Sequence, residues 1–252
     1  MNQHRGEEFK ELQRKTYDCL YSDLDFALYK VQHPFRTYFE HHIVSLAVKR
    51  IEGTQQMSCL DIGCGQGVTT HVLSNHFDKV IGVDFSSGAI KTAKEFLKAM
   101  NVSNAGVVVG DVDDLGLADG SIDIVHFKDF LHHTVQPLRA MENLRKVSRK
   151  GRIVGAEVNG HSPIMSLFGR MAKHERGLLD SNQEWLTDLA LAAGFKRIEI
   201  EEFSFYPYPM RIPVIGDRRL GVLLPAVRAV EALLVKTPLR RYANYLVFDA
   251  SS

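Results

Sequence analysis

Hydrophobic positions change their period along this chain. Over residues 7–29 and again over 35–50 they recur as on a helix. In the second stretch Phe35, Tyr38, Phe39, Ile43, Leu46, Ala47 and Ile51 fall close to one face. The first stretch reads as one or two helices, and Pro34 suits the first turn of the next. Short apolar runs then take over, at 59–62, 80–83, 107–109, 122–127 and 152–156. Helical patterns lie between them at 68–76, 88–100 and 138–148. Strands alternating with helices predict a parallel sheet with helices on both faces. The strands are near-continuous apolar runs, as expected when both faces are covered. The Asp- and Gly-rich interval 111–121 predicts little regular structure. Further on, 185–193 reads as a helix stopped by Gly194, 195–203 as a strand, and 245–248 as a final strand.

Composition narrows the class without naming a function. The chain has 252 residues, 45% hydrophobic and 24% charged, which suits one soluble domain with an elaborated edge. A formal net charge of +1 supplies no field to recruit nucleic acid, and no nucleic-acid partner is expected. Cys19, Cys59 and Cys64 form neither a zinc spacing nor a C-x-x-C pair. They fit a reducing, cytoplasmic setting. The start of the chain is polar, which predicts no secretory signal, and no apolar run reaches the roughly 18 to 20 residues of a spanning helix.

The chemistry concentrates at 58–70. A short strand runs into Gly63, Gly65 and Gly67, and a helix follows from Val68. Glycines let a ligand approach the backbone closely, and a glycine turn between strand and helix is a nucleotide-binding device. A dinucleotide site wants G-x-G-x-x-G, but position 68 is Val. Asp61 would also set a carboxylate near a pyrophosphate. A ligand with a cationic amino group and no phosphate suits the loop better. An NAD-dependent oxidoreductase is therefore the weaker rival. Asp84 closes the second strand, where a carboxylate can accept from both ribose hydroxyls. The alternative is a helix cap.

The strand, the acid and the alternating glycines resemble the first motif of class I S-adenosylmethionine-dependent methyltransferases, of the small-molecule, type 11/12-like kind. The resemblance covers roughly residues 55–160. It implies a Rossmann-like, mostly parallel α/β sheet with a reversed last strand and an N-terminal helical cap over the cofactor. The cap is expected over 1–52, and the methyltransferase domain over 53–252. S-adenosylmethionine is the implied cofactor. The implied binding residues are Asp61, Gly63, Gly65, Gly67, Asp84 and Phe85, with Asp111 and the Val112 amide at the adenine. Asp113 and Asp114 compete with Asp111. The segment from Phe127 to His133 resembles the fourth motif, whose backbone meets the methionine part. Lys128 is implied as a cofactor contact there, although it departs from the small or polar residue expected.

His132 and His133 are the candidate general bases, since imidazole takes a proton near neutral pH. They also read as residues that shape the loop. Glu157, Asn159 and His161 follow the fifth strand and are candidates for the acceptor pocket. No compact metal-ligand spacing is present, so no metal is expected. The expected acceptor is a small molecule, methylated at oxygen, with nitrogen and carbon open. A non-catalytic, partner-binding subunit is a further alternative. Residues 204–242 read as a substrate-side insertion, basic and partly amphipathic. Substrate capping, a homodimer contact, or contact with a membrane surface or lipid-linked substrate stays open there, beside plain packing.

Overall fold

A computed structural model describes residues 3–205 and 218–252. Three helices come first: α1 (Gln3–Leu20), α2 (Leu24–Gln32) and α3 (Pro34–Val48). The alternating part follows as β1 (Ser58–Ile62), α4 (Val68–Ser74), β2 (Lys79–Asp84), α5 (Ser87–Ala99) and β3 (Ala105–Val109). It continues as β4 (Ile124–Lys128), α6 (Pro137–Val147), β5 (Arg152–Val158) and α7 (Pro163–Met171). The last elements are α8 (Gln183–Ala192), β6 (Arg197–Phe203), α9 (Leu224–Leu234) and β7 (Tyr245–Ser251). The strands form one sheet in the order β3-β2-β1-β4-β5-β7-β6. Only β7 is antiparallel to its neighbours, as the resemblance implied. Strand order reverses between β1 and β4, and ligands of open α/β sheets bind at the carboxyl ends there.

Two hydrophobic layers follow from the period of two along each strand. Cys59, Ile124 and Val154 face one side, against Phe35, Phe39 and Ile43 of α3. Leu60, Val125 and Ile153 face the other, against Met141 and Leu144 of α6 and Leu186 and Leu189 of α8. Helix α3 is thus part of the sheet's covering layer, not of a cap set apart from it. The apolar run of β3 also differs from expectation. Its edge position leaves Val108 and Val109 half exposed, so an apolar run there does not mean burial on both faces.

Part of the 204–242 insertion, with Pro207, Pro209, Arg211, Pro213 and Asp217, lies outside the described residues. The described remainder supports α3. Arg228 lies over the Tyr38 ring, 4.8 Å from its centroid. Buried Glu231 accepts from the Phe205 amide at 2.9 Å and the Ser204 hydroxyl at 3.2 Å. Val222, Val230 and Leu233 stay exposed. Among the described residues no helix is long and apolar enough to cross a membrane.

Candidate active site

The glycine loop leaves β1 with Gly63 at φ +69, in the left-handed region. A Cβ there would stand 2.8 Å from a Phe130 ring carbon, so glycine alone fits. The Gly63 and Cys64 amides donate to the Val83 carbonyl at 2.8 and 3.1 Å, which ties the loop to β2. Asp61 lies behind the loop and does not line the cleft. It is 1% exposed, accepts from the Thr70 hydroxyl at 2.7 Å and pairs with His126 Nδ1 at 2.9 Å. It fastens α4 and β4 to β1. Gly67 caps α4 against Ala93 and likewise stands back from the cleft.

A cleft crosses the switch point, with an empty volume of about 1160 Å³ including its open mouth. Asp84 lines it. Its carboxylate accepts from the Gly65 and Ser86 amides, each at 2.9 Å. Burial raises its pKa above the usual aspartate value, against the pull of those two amides. Asp84 is not the helix cap; Ser86 takes that place, accepting from the Ala89 amide. Phe85, Asp111 and Val112 line the same end. Asp111 is ion-paired with Lys10 of α1, which also bonds Asp113 at 2.8 Å. Burial alone would raise the Asp111 carboxyl; bonds from Lys10 and the Asp113 amide outweigh it and hold it low.

The middle of the cleft carries charge, of which the sequence reading named only Lys128. Lys128 extends into it and pairs with Asp129 at 3.0 Å and Glu40 at 3.8 Å. Asp129 holds φ +53, a strained value for a residue with a side chain. Its Oδ2 accepts from the Tyr245 hydroxyl at 3.3 Å. Its Oδ1 is buried with no hydrogen-bond partner among the described residues. Lys30 of α2 donates to Gln66 at 3.2 Å. Burial brings its pKa down to about 8.

At the far end His133 faces the cleft, with the Tyr17 hydroxyl 3.0 Å from its ring nitrogens. Burial, then the neighbouring His132 and His174, push its pKa well below the usual value. His132 is buried behind it and does not line the cleft. Its Nδ1 meets Glu157 at 2.6 Å. Burial works against its charged form, but Glu157 and Glu175 prevail and raise its pKa to about 10. Glu157 also accepts from the Phe130 and Leu131 amides at 2.6 and 2.8 Å, so it shapes the turn after β4. Asn159 spends its side chain on the Arg241 and Ala243 carbonyls and the His161 amide. None of Glu157, Asn159 and His161 lines the cleft. Helix α1 runs along the mouth, where Lys10, Gln13 and Tyr17 line the cleft. Besides Lys10 and Tyr17, its Asp18 accepts from the Ser86 hydroxyl at 2.5 Å and the Gly88 amide at 2.9 Å.

The sheet order, the glycine loop and the carboxylate ending β2 define the class I S-adenosylmethionine-dependent methyltransferase fold. Residues 54–193, more than half of the chain, match the family described as methyltransferase domain, and the chain belongs to that family. It is 29% identical over 200 residues to an uncharacterized protein in a Streptomyces fradiae transposon, covering 75% of this chain and 56% of that one. It is 22% identical over 212 residues to malonyl-[acyl-carrier protein] O-methyltransferase of Herminiimonas arsenicoxydans, covering 83% and 76%. Haemonchus contortus phosphoethanolamine N-methyltransferase 2, solved with S-adenosyl-L-methionine, shares the fold at a TM-score of 0.62 and 18% identity, covering 84% of this chain and 52% of that one. The chain thus spans about half the length of the first and third of these proteins.

Proposed function

We propose that this chain moves a methyl group from S-adenosylmethionine to a small-molecule acceptor, at oxygen. The observation that carries the reading is one continuous cleft running from Asp84 to His133 across the strand switch point. When bound, the cofactor supplies an activated methyl on a sulfonium. The residues present fit such a group. Asp84, already held by two amides, offers its remaining lone pairs to ribose hydroxyls. Phe85 and Val112 wall the adenine end, and Asp111 accepts there once Lys10 yields. The unpartnered Asp129 Oδ1 suits the cofactor's cationic part, and Lys30 its carboxylate. Lys128 neutralises Asp129 and Glu40 and is spent on them.

His133 is the residue that deals with the acceptor's proton. Its lowered pKa leaves the imidazole neutral at physiological pH, with the ring lining the cleft. Tyr17 orients the ring. Alignment of donor and acceptor, with water excluded under α1, supplies much of the rate. The O-acceptor follows the malonyl-[acyl-carrier protein] relative; the phosphoethanolamine neighbour methylates nitrogen.

Calorimetry with S-adenosylmethionine, S-adenosylhomocysteine and NAD tests the reading, followed by methyl transfer to hydroxyl and amine acceptors. Binding of NAD alone would overturn it. Asp84→Asn is expected to weaken S-adenosylmethionine binding by about 10- to 100-fold, from ~1.5–3 kcal/mol for hydrogen bonds to a charged group. Asp129→Asn should lose a similar factor.

A further inference from the structure

Three donor atoms converge at the acceptor end, and the function above uses only one of them. His132 and His133 share the short turn Leu131–His133, and Glu175 lies on the turn Lys173–Leu179. One donor atom from each lies within 4.8 Å of the others. His132 Nε2 is 3.4 Å and His133 Nε2 is 3.7 Å from the same oxygen, Glu175 Oε2. Both distances are long for hydrogen bonds. They match a tetrahedral metal site, where bonds of about 2.1 Å set ligand atoms about 3.4 Å apart.

The surroundings orient these atoms as ligands. His132 Nδ1–H donates to Glu157, itself fixed by the Phe130 and Leu131 amides, which turns Nε2 toward Glu175, and a cation bound there would release the Nε2 proton. A ligating histidine characteristically gives its other nitrogen to such a carboxylate. The Tyr17 hydroxyl lies 3.0 Å from both His133 ring nitrogens, so a cation at Nε2 would leave it the Nδ1 contact. Gly177 lets the Glu175 turn lie against the His132 carbonyl, where any Cβ would overlap the oxygen.

We propose that His132 Nε2, His133 Nε2 and Glu175 Oε2 bind one divalent cation, zinc or a similar borderline ion. Two imidazoles and one carboxylate suit such ions better than magnesium. Three protein ligands leave a fourth position, and since His133 alone of the three lines the cleft, an acceptor would reach the cation from its side. An acceptor oxygen held there gains acidity beside the methyl donor. This role rests on the reading that the acceptor sits at the His133 end; the binding of the cation does not.

The test uses the full chain stripped with a chelator and titrated with Co2+, then Zn2+. One equivalent of Co2+ should bind with the visible ligand-field bands of a four-coordinate site, and Zn2+ should displace it. Glu175→Gln and His133→Gln should each weaken binding about tenfold or more while leaving the circular dichroism and melting unchanged. Absence of stoichiometric Co2+ binding, or binding equally tight in both variants, overturns the site. Calorimetry with S-adenosylmethionine on the same metal-free samples separates the two ideas. If that cofactor binds and methylation needs His133 but no metal binds, His133 is a plain base and the metal site is wrong. If Co2+ binds as expected but S-adenosylmethionine does not, the metal site stands and the methyltransferase reading falls.

Discussion

Two acids of similar sequence context do different work at the residue scale. The place of Asp84 in the cleft was legible because a strand end fixes where its side chain emerges. Asp61 had the same sequence signal, yet its carboxylate is spent on Thr70 and His126. Asp61→Asn should therefore cost about 1–3 kcal/mol of stability in urea unfolding, by unpairing buried partners. It should weaken S-adenosylmethionine binding less than Asp84→Asn; the reverse order would return Asp61 to the cleft. Lys30 makes a pH prediction. Its pKa falls from 10.5 to about 8 in the folded chain, through burial. Between those values the unfolded chain holds the extra proton, so this lysine's contribution to stability improves as pH rises. Below pH 8 both states are protonated and the contribution is flat. The stability of wild type minus Lys30→Met should thus climb across that window; a flat difference refutes the shift.

Elements differ in how far sequence reveals them. The β1 loop and α4 are local: strand, glycines and helix follow one another, so their pattern could be read directly. The period of α3 was equally plain, but not its place in the covering layer, which depends on sheet order. The exposed edge of β3 was hidden for the same reason. Helix α7 and the turn after it gave no signal at all. Glu175 meets His132 across 43 positions of sequence, through a packing contact that no spacing announces. Gly177 is the hinge of that contact. Gly177→Ala should lower stability by about 1–3 kcal/mol, as overpacking does, and should shift the His132 and His133 ring resonances. Unchanged resonances in a fully stable variant would show that the turn tolerates a Cβ.

On the scale of the whole molecule, the sheet order and reversed β7 were legible through the glycine loop and its resemblance. The insertion before β7 was not. Its described residues brace α3, through Arg228 over Tyr38, and none of those described lines the cleft. The cleft is covered instead by α1. Lys10, midway along it, pairs with Asp111 and Asp113, Asp18 of its last turn accepts from Ser86 and Gly88, and Tyr17 reaches His133. Those ties put a clock on ligand traffic. Traffic through the mouth must wait for them to part, so the observed association rate in stopped flow should level off as S-adenosylmethionine is raised, at the rate of α1 release. Asp18→Ala should lift that plateau and shorten product dwell time together. A rate that stays linear in cofactor concentration would mean that ligands pass without waiting for α1, and that turnover is timed elsewhere.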